Sequence, residues 1–349
     1  MINSRLFEWY GIDTTKDLQI RTRCPRPFDT VLIDKNGSCF LCECTAWLPQ
    51  SVGNLHIKSL EDILDSETAR KLQNSIVDGS YRYCNNKQCS YLLDQRPVAW
   101  KNLIPTKQIK NIRLAIDNSC NLRCPSCRTE LIFIKKGKKF ERRIQLADKV
   151  NAWLHSIDHP VKVHIGLDGD PFASYVYRHF MSQTPVNKNI KYSLLTNGLM
   201  FQEFSVKIPH IIENLSEIGV SIDGASKTTY EKLRLGGSWS KINFNLQFIS
   251  NLKKQYNFIF RLHFVVQKDN YHEMEKIIDL GKKYNADHVW LNRIEDWNVI
   301  NDFEKQNIFD TKDYKKHLNK IINIVKKQKD RFVECPTLIN QEVLDKNRN

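Results

Sequence analysis

The sequence predicts an α/β protein in which a parallel sheet of βα units follows a small cysteine-rich region. Between residues 109 and 300, six short apolar runs alternate with amphipathic segments, a pattern typical of parallel strands joined by crossover helices. Nine of the ten cysteines lie between Cys24 and Cys127, whereas core packing alone would scatter them along the chain. We therefore expect a metal-binding module followed by a parallel sheet.

The elements follow in order along the chain. Residues 20 to 95 are rich in cysteine and turn residues, with one helical stretch over SLEDILDSETARKLQNSI, where Ser59 followed by Asp62 predicts the helix start. The six expected strands are NIRLAI, VKVHIGL, IKYSLLT, IGVSID, FRLHFVVQ and HVWLN. Expected helices between them include IQLADKVNAWLHSI, FNLQFISNLKKQ and MEKIIDLGKKY, and the last fifty residues predict a basic helix and a loose tail. In such sheets the functional groups lie on loops at the carboxyl ends of the strands.

Length and composition limit the class of protein. With 349 residues, 41% of them apolar and 26% charged, the chain is long enough for two domains and typical of a soluble globular protein. It contains no apolar run long enough for a membrane helix, and its first residues lack the pattern of a secretory signal. We expect a cytoplasmic protein without membrane contact, and in that reducing compartment its cysteines favour metal binding over disulfides.

The net charge is +14. Much of it comes from lysines that are expected to be solvated, so a basic soluble surface is one interpretation, and attraction of an acidic or phosphorylated partner is the other. Aromatic residues are not interleaved with the basic runs, so a nucleic-acid groove is not favoured.

Three cysteines follow the first expected strand directly. The segment LAIDNSCNLRCPSC places Cys120, Cys124 and Cys127 in a CxxxCxxC arrangement that lets three thiolates converge. A [4Fe–4S] cluster normally takes four cysteines, so three would leave one iron open. The alternative is zinc, which prefers four closed ligands, and the sequence places no fourth ligand near this triplet.

The region from about 109 to 295 resembles the (β/α)6 partial TIM barrel of radical S-adenosylmethionine (SAM) enzymes. In that family SAM binds the open iron and is cleaved to a 5′-deoxyadenosyl radical, which abstracts hydrogen from a substrate. The resemblance implies a SAM-binding [4Fe–4S] cluster on the three cysteines, which are then catalytic, and an electron donor such as flavodoxin or ferredoxin.

The resemblance extends to the loops after the later strands, GLDGDPFAS, LLTNG, VSIDGASKTTYEKLR and VVQKDN. The resemblance implies that Gly169 and Asp170 contact the amino group of SAM and that Thr196 and Asn197 lie at the tip of the next SAM-facing loop. It also implies that Ser221 and Asp223 contact the ribose, that Arg234 contacts the carboxylate and that Gln267 faces the pocket. Each has a plainer alternative. The two aspartates could cap helices, and Asn197–Gly198 could form an ordinary turn.

The N-terminal segments CPRPFDTVLIDKNGSCFLCECTAWLP, GNLHIKSLEDI and YCNNKQC resemble the SPASM/twitch auxiliary-cluster module, which usually follows the barrel and here precedes it. The resemblance assigns Cys24, Cys42, Cys84 and Cys89 to one auxiliary [4Fe–4S] cluster. Cys39 takes a strand position, and Cys44 could replace Cys42. A zinc ribbon with the same four ligands is the alternative. Cys335 is expected to be an ordinary thiol.

These features divide the chain into an auxiliary-cluster domain (1–100), a radical SAM core (101–300) and a basic C-terminal helix and tail (301–349). The expected function is radical SAM chemistry of the oxidoreductase type, and the resemblance suggests peptide modification first. A dehydrogenase or epimerase acting on a small metabolite or sugar is one alternative. A non-catalytic iron–sulfur or zinc protein is the other.

Overall fold

The computed structural model describes residues 22–86, 89, 92, 98–99, 108–296, 300, 303, 308–309, 311–335 and 337–338. The strands are β1 (Thr22–Arg23), β2 (Thr30–Asp34), β3 (Ser38–Phe40), β4 (Gly53–Asn54), β5 (Val98–Ala99), β6 (Asn111–Ala115), β7 (Val161–Ile165), β8 (Ile190–Thr196), β9 (Leu215–Ser221), β10 (Ile259–Val266), β11 (His288–Arg293) and β12 (Val333–Glu334). The helices are α1 (Arg26–Asp29), α2 (Leu60–Leu64), α3 (Glu67–Val77), α4 (Lys138–His155), α5 (Tyr175–Gln183), α6 (Phe201–Ser205), α7 (Pro209–Glu213), α8 (Lys227–Leu233), α9 (Trp239–Leu252), α10 (Met274–Lys283) and α11 (Lys312–Lys327).

The six strands β6 to β11 form a continuous parallel sheet in chain order. Each pairs in parallel with the next, with one register irregularity between β8 and β9 at Tyr192 and Ser193. These are the six runs expected from the sequence, and helices follow them as expected. The predicted partial barrel is confirmed.

Alternation along the strands separates two faces of the sheet. In β6 and β7 every second residue is buried, and Ile112 lines a cavity together with Val150 and Trp153 of α4. Because successive side chains of a strand point to opposite faces, Arg113 and His164 lie on the face away from the helices, inside the barrel.

The cysteine-rich region is built onto the same sheet. Strand β2 pairs in parallel with β6, while β3 and β4 continue outward as antiparallel strands. Apolar residues of this region, such as Val31 and Ile33, belong to the same core cluster as Ile112 of the barrel. A loop connection alone would let this module move, whereas the shared sheet and core fix its position against the first barrel strand.

Two serines divide the single helical stretch expected near residue 60. Ser59 caps α2 by accepting a hydrogen bond from the backbone N–H of Asp62, as predicted. Ser66, expected inside the helix, instead caps α3 by accepting from Ala69. A serine hydroxyl satisfies the free N–H groups of a helix start, so one stretch becomes two helices.

The C-terminal part contains the expected basic helix, α11, and one strand that was not expected. In place of a wholly loose tail, β12 pairs in parallel with β11 at the edge of the sheet. The domain boundaries at 100 and 300 remain predictions, and residues 1–21 and 339–349 of the outer two domains lie outside the described part of the chain. No helix among the described residues is long and apolar enough to span a membrane.

Candidate functional site

The cysteine triplet lies on the loop after β6, and each of its sulfurs is faced by a side-chain N–H donor. Asn197 Nδ2 lies 3.7 Å from Cys120 Sγ, and Arg234 Nη1 lies 3.7 Å from Cys124 Sγ. Arg128 Nη2 lies 3.6 Å from the third sulfur, that of the exposed Cys127. Hydrogen bonds to cluster sulfurs stabilise their negative charge and tune the reduction potential of the cluster. The donors are therefore placed as a cluster on these thiolates would need them.

Burial controls the protonation of these thiols. It raises the pKa of Cys120 to about 11, with the Asp170 carboxylate acting in the same direction. Burial also raises the pKa of Cys124, against the opposing effect of Arg234. Both thiols therefore hold their protons near neutral pH, and binding of a metal centre would release them.

Asp170, on the loop after β7, uses its whole carboxylate within the protein. Its Oδ1 accepts from the backbone N–H groups of Phe172 and Ala173, each at 3.0 Å. Its Oδ2 accepts from Thr196 Oγ1 at 2.7 Å and from Asn197 N at 2.8 Å. Four donors occupy the acceptor sites of a carboxylate, so the group as placed joins the loops after β7 and β8. The helix that follows is capped by Ser174 rather than by Asp170, so the capping alternative is wrong for this residue. Direct contact of Asp170 with SAM remains a prediction.

Gly169 allows the loop after β7 to lie against the cysteine loop. Its φ is +77°, and a Cβ at this position would lie 2.5 Å from the carbonyl oxygen of Ser119. The next residue, Asp170, donates its backbone N–H to that same oxygen at 2.9 Å. Both the left-handed backbone and the close approach require glycine.

Gly169→Ala is expected to destabilise the fold by about 2 to 4 kcal/mol, because an unfavourable φ and a backbone clash add together. Gly137→Ala is the matched control, since Gly137 has φ +86° but no atom within 4 Å of the added Cβ. Thermal unfolding of both variants measures the difference. Equal losses for the two would show that the packing of the two loops does not depend on Gly169.

A buried ion pair joins the loop after β9 to the cysteine loop. Asp223, with φ +49°, lies 2.7 Å from Arg234 Nη2 through one carboxylate oxygen and accepts from Val265 N at 2.8 Å through the other. Burial raises the pKa of Asp223, and Arg234 opposes that effect. Burial disfavours the charge of Arg234, but Asp223 and Cys124 together raise its pKa. Arg234 is therefore a fixed cation that contacts both the aspartate and a cysteine of the triplet.

Three polar atoms of this region are buried without a hydrogen-bond partner among the described residues, Arg234 Nε, Gln267 Nε2 and the hydroxyl of Tyr230. Asn270 holds the loop after β9 against the end of β10, because its Nδ2 donates to the backbone oxygens of Asp223 at 3.1 Å and Val265 at 2.8 Å. Unpaired buried donors are costly unless a ligand accepts from them. They fit a bound group with acceptors, such as the carboxylate and hydroxyls of SAM.

The structure therefore brings most of the expected SAM-facing residues into two networks that meet at the cysteine loop. One joins Cys120, Asn197, Thr196 and Asp170, and the other joins Cys124, Arg234 and Asp223. Ser221 ends β9 opposite His263 of β10. Arg128 and Asn121 were not predicted from the sequence as site residues, and Oδ1 of Asn121 accepts from Asn197 Nδ2 at 2.8 Å. Their position inside or directly after the CxxxCxxC segment was the available signal.

In the N-terminal module, four of the six cysteines line one narrow cleft, Cys24, Cys42, Cys84 and Cys89. Cys39 is buried elsewhere, with its thiol 3.8 Å from the carbonyl oxygen of Gly37, and Cys44 is near Glu295 and Arg113. The four cleft cysteines are those that the sequence resemblance assigned to the auxiliary cluster.

Burial is the main cause that raises the pKa of Cys42 to about 11 and that of Cys84 to about 12, and neighbouring cleft cysteines act in the same direction. No three His, Cys, Asp or Glu side chains of the described residues converge, as they are placed, closely enough to hold a metal ion. The shared cleft and the donor type fit an iron–sulfur cluster or a zinc ion equally well. Cys335 lies apart, packed against the main core, and burial raises its pKa to about 12.

Comparison with known proteins separates these possibilities. Residues 24–90 match SPASM, a family described as an iron–sulfur cluster-binding domain. This segment is a SPASM domain. The SPASM match therefore precedes the barrel strands along the chain, which is the order expected from the sequence. The cofactor that this family binds is an iron–sulfur cluster rather than zinc.

The remaining similarities are partial. A probable GTP 3′,8-cyclase of Methanococcus maripaludis is 27% identical over 135 residues, which are 38% of this chain and 42% of that protein. The chain therefore spans less than half of that relative. Similar solved structures include Streptococcus suis SuiB bound to the precursor peptide SuiA (14% identical, 64% of this chain, 48% of SuiB, TM-score 0.41) and anSMEcpe with bound AdoMet (19% identical, 62% and 60%, TM-score 0.40). The resemblance to radical SAM enzymes with a SPASM domain is confirmed, with iron–sulfur clusters and SAM as the cofactors of that family.

Proposed function

We propose that this protein is a radical SAM enzyme of the oxidoreductase type that holds a [4Fe–4S] cluster on Cys120, Cys124 and Cys127. One observation carries the proposal, that each of the three sulfurs is faced by an N–H donor from a different residue. A structural zinc site or a simple electron carrier has no need for the loops after β8 and β9 to supply two of these donors. Bound at the open iron, SAM supplies a 5′-deoxyadenosyl radical that can abstract hydrogen from an unactivated C–H bond.

The residues of the chain bind and orient the cofactors in this proposal. Arg234 offers its unpaired Nε to the carboxylate of SAM, and Gln267 offers Nε2 to a second acceptor. Gly169, Thr196, Asn197, Ser221 and Asp223 form the surrounding loops, and Asp170 holds two of those loops together. Because Arg234 also contacts Cys124 and Asp223, movement of the SAM-binding arginine away from the cluster would break a buried ion pair.

The SPASM domain is proposed to hold one auxiliary [4Fe–4S] cluster on Cys24, Cys42, Cys84 and Cys89. A cluster with four protein ligands can accept an electron from a substrate radical or relay one, which fits an oxidoreductase. A small electron-transfer protein such as flavodoxin or ferredoxin is the proposed donor to the SAM-binding cluster. The proposed radical chemistry can act on a peptide or on a small metabolite. The family resemblance suggests a peptide first.

The direct test is anaerobic reconstitution with iron and sulfide, followed by dithionite and SAM. We expect 5′-deoxyadenosine and methionine to form in equal amounts. A sample with full iron content that forms neither would contradict the proposal, and so would a zinc ion on the cysteine triplet by X-ray absorption.

Iron content tests the auxiliary cluster separately. Wild-type protein is expected to hold about eight irons per chain, and Cys84→Ala about four, because the loss of one ligand opens the second cluster. Cys44→Ala is the matched control from the same domain, since this thiol lies outside the cleft, and it should keep about eight irons. An unchanged iron content in Cys84→Ala would remove Cys84 from the ligand set.

A further inference from the structure

The interior face of the barrel carries charged side chains that the proposed function leaves unused. Register places Arg113 of β6 beside His164 of β7, and Arg261 of β10 beside Gly219 of β9. A Cβ at Gly219 would lie 2.6 Å from Nε2 of His263, so that imidazole extends across β9. These groups lie along the strands before their carboxyl ends, below the loops of the cysteine triplet.

Both histidines of this face experience an excess of positive charge. Burial lowers the pKa of His164 to about 2, and Arg113, Lys162 and Arg26 act in the same direction. Burial likewise lowers the pKa of His263 to about 3, with Arg261 and Arg234 adding to the effect. The charges that act on both rings are cations, so the local potential is positive on two sides of the barrel interior.

The nearby carboxylates do not balance these cations. Glu217 accepts from both Lys162, at 3.1 Å, and Arg261. Glu43 pairs with Arg26 at 2.7 Å, and Arg113 donates its Nε to the backbone oxygen of that same glutamate at 3.1 Å. Lys162 and Arg261 therefore share a single carboxylate, and Arg113 donates to a backbone oxygen rather than to a carboxylate. A surplus of partly buried positive charge is unfavourable unless an anion enters to offset it.

Two hydrogen-bond donors in this region have no partner among the described residues. They are Arg261 Nε and Trp290 Nε1, both buried. The guanidinium of Arg261 stacks over the ring of Trp290 at 4.0 Å, and the ring of His263 lies 5.1 Å from the same indole. The stacked pair thus presents a fixed cation with unused donors, which is a geometry suited to an oxyanion.

We propose that the barrel interior binds an acidic group of the substrate, a carboxylate or a phosphate, through Arg113, Arg261 and Trp290. The inference rests on the proposed function, because it places the substrate below the SAM-facing loops. It defines the substrate class that the reaction accepts, namely a molecule with an anionic group set apart from the reacting C–H bond. Lys162 and Glu217 link β7 to β10 across this face and hold Arg261 in place.

Calorimetric titration of the reconstituted protein tests the inference with two probes, inorganic pyrophosphate and tricarballylate. Binding of pyrophosphate alone assigns a phosphate group, and binding of tricarballylate alone assigns a carboxylate. Binding of both supports an oxyanion site without preference. Arg113→Gln and Arg261→Gln should each weaken the binding at least about tenfold, because each removes a charge-assisted hydrogen bond.

Arg178→Gln is the matched control for Arg261→Gln. Its guanidinium also lies over aromatic rings, those of Tyr175 at 4.2 Å and Phe204 at 4.5 Å, but on α5, a helix outside the barrel. It should leave anion binding unchanged. Arg261→Lys keeps the charge and should recover part of the binding, which separates a lost contact from a damaged fold if Arg261→Gln unfolds.

A separate titration with SAM on the same wild-type sample distinguishes the two proposals. If SAM binds and neither anion does, the anion site is refuted and the proposed function stands. If the anions bind and SAM does not, the proposed function fails. Anion binding of equal strength in wild type, Arg113→Gln and Arg261→Gln would assign it to the basic surface and also refute the site.

Discussion

Cys124→Ala is expected to abolish the formation of 5′-deoxyadenosine from SAM. Its thiol is buried and receives a hydrogen bond from Arg234, so the change removes a proposed cluster ligand and a contact of the arginine that we propose to bind SAM. The loss should exceed the roughly 100-fold effect that is usual when only an outer partner of a metal ligand is removed. Chromatographic quantification of 5′-deoxyadenosine after reduction with dithionite measures it.

Cys335→Ala is the control for this experiment, because Cys335 is half-buried in the core far along the chain and contacts neither cysteine group in the described structure. It should keep SAM cleavage and the full iron content. Cleavage that survives Cys124→Ala at more than about one hundredth of the wild-type rate would show that this thiol is not a ligand of the SAM-binding cluster.

Arg234→Gln should have the second-largest effect, on stability and on SAM affinity at once. The change leaves the carboxylate of Asp223 buried without its partner, which is expected to destabilise the fold by about 3 to 5 kcal/mol. It also removes the donor proposed for the carboxylate of SAM. Urea unfolding gives the first effect, and equilibrium binding of SAM gives the second.

The double variant Arg234→Gln/Asp223→Asn separates these two roles. Replacing both charges should recover a large part of the lost stability, because no unpaired buried charge remains. SAM affinity should stay as low as in the single variant or fall further, because both the arginine and the carboxylate that are proposed to face SAM are then replaced. Recovery of SAM affinity together with stability would show that the ion pair serves the fold alone.

The shared sheet has a consequence for how the two cluster sites work together. Because β2 pairs with β6, the SPASM domain and the cysteine loop after β6 are attached to neighbouring strands. Arg113 of β6 reaches the backbone of Glu43, which lies between Cys42 and Cys44, at 3.1 Å. An anion bound by Arg113 would therefore lie on the side of the barrel that faces the proposed auxiliary cluster.

Local patterns in the sequence were enough to predict several parts of this protein. Short apolar runs that alternate with amphipathic segments predicted the six parallel strands. The CxxxCxxC spacing after the first strand predicted the loop whose three sulfurs are each faced by an N–H donor in the structure. The N-terminal motifs identified the SPASM domain, because its cysteines, turns and helix start are read within short segments. Each of these features depends on residues close together in the chain.

Contacts between distant residues decided the rest. The sequence could not show that Asp170 directs its carboxylate to Thr196, because that choice depends on how two loops pack after their strands are aligned. It left Cys39, Cys42 and Cys44 as competitors, and only the fold places Cys42 in the cleft with Cys24, since β3 and the loop after it fix where each thiol points. The excess of cations inside the barrel is likewise a tertiary property, because the net charge of the chain does not reveal that Lys162 and Arg261 share a single glutamate. Chain-local periodicity and spacing thus determined the elements, and the resemblance of short motifs to a known family indicated the cofactor class. The geometry of the site required the long-range pairing of the strands.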